Sequence, residues 1–248
     1  MKIGLALLGS WGIGYGTALY FSKQSINEYE DARDEIRDAS RLGNKSYGLN
    51  FGYKTDSTIE DILDTGDLVF MQHVCYKSFS PLLIGKCYLS QKYKSLLTQF
   101  GYKQENWDSA GIIVRNREGA KVIFKYFSEV YDIDYDEFLK IPFFSFVSLR
   151  KMKTKDPAVG YMKREELSEE VKKENERSGI FDVIDINNCA VPWLYWKKTG
   201  TLKNDYKDKI TLQDINTMAP KCLDSEKVKY SGSIIVRSNF SRQETQKY

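Results

Sequence analysis

The uncharged run over residues 3–21, IGLALLGSWGIGYGTALYF, constrains this chain more than any other feature, because a stretch that long without a charge must be hidden from water. As a helix rising about 1.5 Å per residue it is roughly 28 Å long, close to the ~30 Å hydrocarbon core of a bilayer. Gly12 and Gly16 form a G-x-x-x-G pair, with Gly14 between them and Ala6 and Ser10 earlier on, so one face is small enough for a second helix to approach closely. Trp11 and Tyr15 sit mid-run, where an interfacial aromatic belt would not put them, and are expected to face protein. The run is therefore expected to be a single transmembrane anchor over residues 1–22, in contact with the bilayer through residues 3–21. A cleaved signal peptide is the competing reading, with Lys2 as its positive start, residues 5–8 as its apolar centre, and Gly16 and Ala18 as the small residues of a cleavage site. A buried core helix ranks below both, since so many glycines weaken a soluble helix. Lys2 and Lys23 flank the run evenly, so the positive-inside bias assigns no orientation.

Residues 25–41, SINEYEDARDEIRDASR, read as a charged helix that starts at Ser25 or Asn27 as a cap and carries Glu30–Arg33 and Asp34–Arg37 at spacing i,i+3. It is expected either to be a stalk or to be a solvated surface helix. Gly43, Asn44, Gly48 and Gly52 break the pattern, which sets a stalk and linker over 23–56 and one domain over 57–248. With 248 residues in all, 42% hydrophobic and 29% charged, the chain is long and apolar enough to bury one substantial core.

Charge argues against nucleic acid as a partner: 37 Lys plus Arg are interleaved with 34 Asp plus Glu and do not gather into a basic stripe. The four cysteines, Cys75, Cys87, Cys189 and Cys222, are well separated and form no C-x-x-C pair. A disulfide framework is not indicated, and a single bridge stays open. His73 is the single histidine, so a histidine-rich metal site is impossible; no metal and no cofactor is expected.

Within the domain, Gly66-Asp67-Leu68-Val69-Phe70-Met71 reads as a turn leading into a short apolar strand. Ser109-Ala110 leads into a strand over 111–114, a turn over 116–119 and a returning strand over 121–127, and further apolar runs occupy 143–149 and 233–236. Four or five such strands predict an α+β class, with a small antiparallel sheet curled on itself and helices packed against it. Residues 163–177 read as a polar, solvated helix closed by Gly179. A second helix opens at Asn187-Asn188-Cys189, tolerates Pro192 in its first turn and stops at Gly200.

The order of these pieces resembles the circularly permuted papain-like fold of the NlpC/P60 superfamily, which includes lecithin retinol acyltransferase-like proteins. The frame is a GDLVF strand, a strand with a polar residue before Ala110-Gly111-Ile112-Ile113-Val114, and a distant Asn-Cys at a helix start; it covers roughly residues 58–240. The resemblance implies thiol hydrolases or acyltransferases in which a cysteine attacks, a histidine activates it and a polar residue on the next strand orients the histidine. The nucleophile position falls on Cys189, where a helix N-terminus favours the thiolate. The base position falls on Ser109, which cannot take a proton from a thiol at neutral pH, and the orienting position falls near Lys125 or Tyr126. His73 could replace the lost base only if its strand end points into the groove beside Cys189. Trp107, Trp193 and Trp196 either line that groove or belong to the core.

These readings converge on a non-catalytic, single-pass membrane subunit that uses a degenerate papain-like domain as a packing module. Other membrane-protein subunits are its expected partners, and a mitochondrial inner-membrane respiratory-chain or ATP-synthase assembly its expected setting. The alternative is a membrane-tethered thiol hydrolase or acyltransferase with Cys189 as nucleophile, and a third option is a module that binds a ligand in the empty groove.

Overall fold

The computed structural model describes residues 2–41, 59–99, 107–127, 129–154, 164–177, 189–203, 223–224 and 226–238. The break expected at 42–56, the Gly179 stop, the Asn187–Asn188 cap and Cys222 lie outside them.

Six strands, β1 (Leu68–His73), β2 (Ser109–Arg115), β3 (Ala120–Tyr126), β4 (Glu129–Asp134), β5 (Phe144–Thr154) and β6 (Val228–Ser238), form one sheet in the order β4-β3-β2-β1-β5-β6. Every neighbouring pair is antiparallel. The chain is thus α+β, with a six-stranded antiparallel sheet and packed helices. The β2–β3 hairpin turns where the sequence predicts it: the Asn116 Oδ1 accepts the N–H groups of Glu118 and Gly119 at 2.9 and 3.0 Å, a side chain standing in for backbone at a tight turn. β1 and β2 are neighbours without being a hairpin, because helix α2 (Pro81–Gln99) lies between them in sequence.

Side chains alternate across a strand, and both faces of this sheet are covered. Val69, Met71, Ile113, Val122, Phe124, Tyr126, Val147 and Leu149 turn to one face, beneath helix α3 (Tyr135–Lys140), the 3-10 turn Cys75–Lys77 and α2. Leu68, Phe70, Ala110, Ile112, Val114 and Ile123 turn to the other, beneath α4 (Arg164–Arg177) and α5 (Ala190–Lys198). Two covered faces explain why the strands read as continuous apolar runs instead of alternating ones. The solvated helix expected over 163–177 is in fact half-seated: Leu167 and Val171 of α4 are buried against the second face.

Cys75 and Cys87 form a disulfide, the single bridge that the sequence leaves open. It ties the 3-10 turn to α2 on the first face, across a sequence separation of 12 with no motif to announce it.

The anchor and the charged segment that follows it form one uninterrupted helix, α1 (Lys2–Arg41), whose two halves are placed very differently. Over residues 21–33 α1 lies against the domain, with Phe21 edge to face on Tyr76 at 5.6 Å. The Ser22 hydroxyl donates to the Phe79 carbonyl at 2.6 Å, Tyr29 donates to Glu137 at 3.5 Å, and Arg33 pairs with the same carboxylate at 3.4 Å. Glu28 meets Lys77 at 3.6 Å, and Ser22 and Ser25 are buried. The side chains of residues 10–17 are all exposed. Among the described residues no helix is long and apolar enough to cross a membrane; the side chains of residues 2–9, the start of the uncharged run, lie outside that set.

Candidate functional site

Cys189 is the N-cap residue of α5, one position ahead of its first helical residue, and is 2% exposed. Pro192 stands in the first turn and Gly200, with φ 66°, follows the last, as the sequence predicts. Val191, Leu194, Tyr195 and Trp196 are buried with Cys189 in the core beneath the second face of the sheet, alongside Ala110 and Ile112 of β2. The Trp196 indole donates to the Tyr230 hydroxyl at 2.8 Å, and that hydroxyl donates to the Gly66 carbonyl at 3.0 Å. Gly66 has φ 98°, and a Cβ there would run into the Met152 side chain and the Tyr195 hydroxyl, so the G-D-L-V-F start needs a glycine on two counts.

His73 is on the opposite face. It follows Val69 and Met71 in the β1 alternation, and its ring lies against Tyr126 at 4.5 Å and Phe144 at 5.4 Å, both in the core of the first face. The Ser109 Oγ is 3.2 Å from the His73 Nε2, and the Asp108 Oδ2 accepts the His73 backbone N–H at 2.8 Å while standing 3.9 Å from the ring Nδ1. Ser109 is thus hydrogen-bonded to the single histidine. Hydroxyl, imidazole and carboxylate occur in the order of a serine-hydrolase triad, but Ser109 is 0% and His73 6% exposed beneath aromatic rings, so no substrate carbonyl can reach the hydroxyl. Beside them Ser78 and Tyr126 share a hydrogen bond of 2.7 Å, and burial pushes the Tyr126 hydroxyl above its ordinary range. This is a closed polar knot that fastens the end of β1 to the start of β2.

Of Lys125 and Tyr126, expected near an orienting group, Tyr126 belongs to the knot, whereas Lys125 alternates to the other face of β3, the face of Cys189, and is buried there. Gly111 fits its strand tightly: a Cβ there would lie 2.7 Å from the Ile123 carbonyl oxygen of β3. The three tryptophans all belong to, or pack against, the core of the second face. Trp196 is wholly buried, Trp107 is tilted against Phe70 and Phe146 at 5.7 and 5.8 Å, and Trp193 carries Lys197 over its ring at 4.9 Å.

Asp67, overlooked in the sequence, is the most deeply buried carboxylate of the β1 region. It accepts the N–H groups of Asp64 at 2.9 Å and Met152 at 2.7 Å and pairs with Lys151 at 2.7 Å. Burial pushes its carboxyl above the ordinary range, against the lowering effect of those bonds. An aspartate between a turn and a strand was the available signal, since such a residue commonly bonds the backbone around it.

Gly12 and Gly16 lie on the exposed half of α1, where an added Cβ would meet nothing within 4 Å, so their small face is open in this chain. Around them Trp11 is 78% and Ile13 74% exposed, with Tyr15, Leu19 and Tyr20 also outside. No protein-family model, no curated protein and no solved structure matches this chain.

Proposed function

We propose that this chain is a non-catalytic, membrane-anchored accessory subunit of a larger membrane assembly, with the sheet domain serving as its packing module. The observation that carries the reading is a coincidence of two boundaries on α1. The uncharged run ends at Phe21, and among the described side chains of α1 the first buried one is Ser22. The charged half is matched to the domain by Tyr29, Arg33 and Glu28, whereas the uncharged half exposes Trp11, Ile13, Leu19 and Tyr20, a surface too apolar to leave in water. A bilayer with neighbouring helices, one of them against the open Gly12–Gly16 face, supplies the missing cover.

The thiol-enzyme alternative is weakened by the separation of Cys189 and His73 onto opposite faces of the sheet. A papain-like ancestry remains our proposal for the frame, on the order of its motifs. The Cys75–Cys87 bridge further supports a domain on an oxidising side of its membrane, since such bridges persist there and are reduced in cytosol-like compartments. For a mitochondrial inner-membrane assembly this means the intermembrane side. Purifying the native protein in mild detergent tests the proposal: it should travel with other membrane subunits and resist alkaline extraction. A lone monomer released by alkali overturns it.

A further inference from the structure

Helix α2 is buried along one side by Leu83, Cys87 and Ser90, and it carries a second apolar stripe on another side. Leu82, Leu89, Tyr93 and Leu96 follow at spacings of seven, four and three, which line up on one face of a helix with 3.6 residues per turn. All four are exposed, Leu89 by 70%. By the same geometry Lys86 falls on one flank of the stripe and Lys92 on the other, and neither is held by an ion pair within the described residues. The sequence of α2 contains three lysines and no carboxylate. The helix starts two residues after Phe79, whose carbonyl holds Ser22, so its first turn lies beside the point where α1 runs clear of the domain. Phe21 and Tyr76 pack edge to face at 5.6 Å across that junction, and Tyr20, Tyr76 and Leu82 are exposed around it.

We infer that α2 is a second membrane contact, lying along an anionic lipid surface with its leucine stripe in the acyl boundary and Lys86 and Lys92 among the headgroups. An apolar stripe rimmed by lysine with a tyrosine in it is the pattern of a helix that rests in the interface plane. A uniformly cationic rim matches the charge of acidic lipids. The surface is also continuous with the exposed half of α1, so one bilayer covers both. The inference rests on the anchor reading and adds a seat that fixes the domain against the membrane.

The test uses the full chain in vesicles of phosphatidylserine and phosphatidylcholine, with bromine on the acyl chains of the latter near the headgroup. The indole introduced by Leu89→Trp should show quenching in excess of the unsubstituted chain by about two-fold or more, as expected of a side chain at the acyl boundary. Replacing both lysines, Lys86→Gln with Lys92→Gln, should weaken the docked state by about five-fold per lysine and reduce that excess. If the chain does not float with vesicles at all, both the anchor and this seat are overturned. If it floats but the introduced indole stays unquenched, only the α2 seat falls, and the stripe is then a protein-binding face. Excess quenching that ignores the lysine replacements overturns the anionic part of the inference.

Discussion

The two faces of the sheet are built from the same strands yet do different work. The first face gathers the disulfide, the Ser109–His73 knot and the seat of α1, so it is stiffened by a covalent bond, polar contacts and stacked rings. The second is a conventional core of Trp196, Tyr195, Leu194 and Cys189 against Leu68 and Ile112. A thiol enzyme's pair needs its cysteine and histidine on one face, and here they lie on two. Divided between two, each is held by its own surroundings, and the sheet between them is as opaque to a proton as any packed interior.

Removing Trp196 should have the largest effect, because Trp196→Ala opens a cavity in the second face and takes the donor from Tyr230. A loss of about 3–5 kcal/mol in denaturant unfolding is expected. A loss under about 1 kcal/mol would show that the second face is not packed as described. On the first face, Cys75→Ala combined with Cys87→Ala should cost about 3 kcal/mol through the freed loop, and reduction of the parent protein should reproduce it. Ser109→Ala is milder. It leaves the imidazole without its hydroxyl partner at a cost of about 1 kcal/mol and should leave thiol reactivity at Cys189 unchanged.

The division of faces itself is tested by a double-mutant cycle. Cys189→Ala and His73→Ala should add to within about 0.5 kcal/mol, as independent sites do, and a larger coupling energy would mean that the two side chains meet. The smallest effect expected is alkaline. Burial, with help from the neighbouring Glu137 carboxylate, raises the Tyr29 hydroxyl from 10.0 to about 12. A raised acid favours the folded state while neutral, so its contribution is whole below pH 10 and is lost as pH rises through about 12. Phenolate absorbance should therefore show a late-titrating tyrosine in the parent that Tyr29→Phe lacks. A parent titration with no such group would contradict the seat of α1.

Much of the sheet was readable before any coordinates. Val, Ile and Phe runs bounded by Gly66 and by Asn116–Gly119 could be little else than strands, and β1, β2 and β3 fall within a residue or two of their expected positions. β5 and β6 run longer than their apolar cores, because pairing with a neighbour extends a strand into polar residues such as Lys153 and Lys229. β4 and α2 were not anticipated. EVYDID is too acidic to announce a strand, yet pairing with β3 and the stack of Tyr131 on Phe124 hold it in the sheet. The leucines of α2 are spread over two sides of the helix, which blurs the single periodic face by which a helix is recognised.

By itself the sequence determined the class of the fold, the turn residues and the uncharged half of α1, since each depends on neighbours within a few residues. Only the tertiary structure decided that Cys75 meets Cys87, that Ser109 bonds His73, and that Cys189 lands on the far face. Those outcomes depend on which way each connection crosses the sheet and on strand parity, where a single-residue shift turns every side chain to the opposite side. No local pattern of residues carries that information.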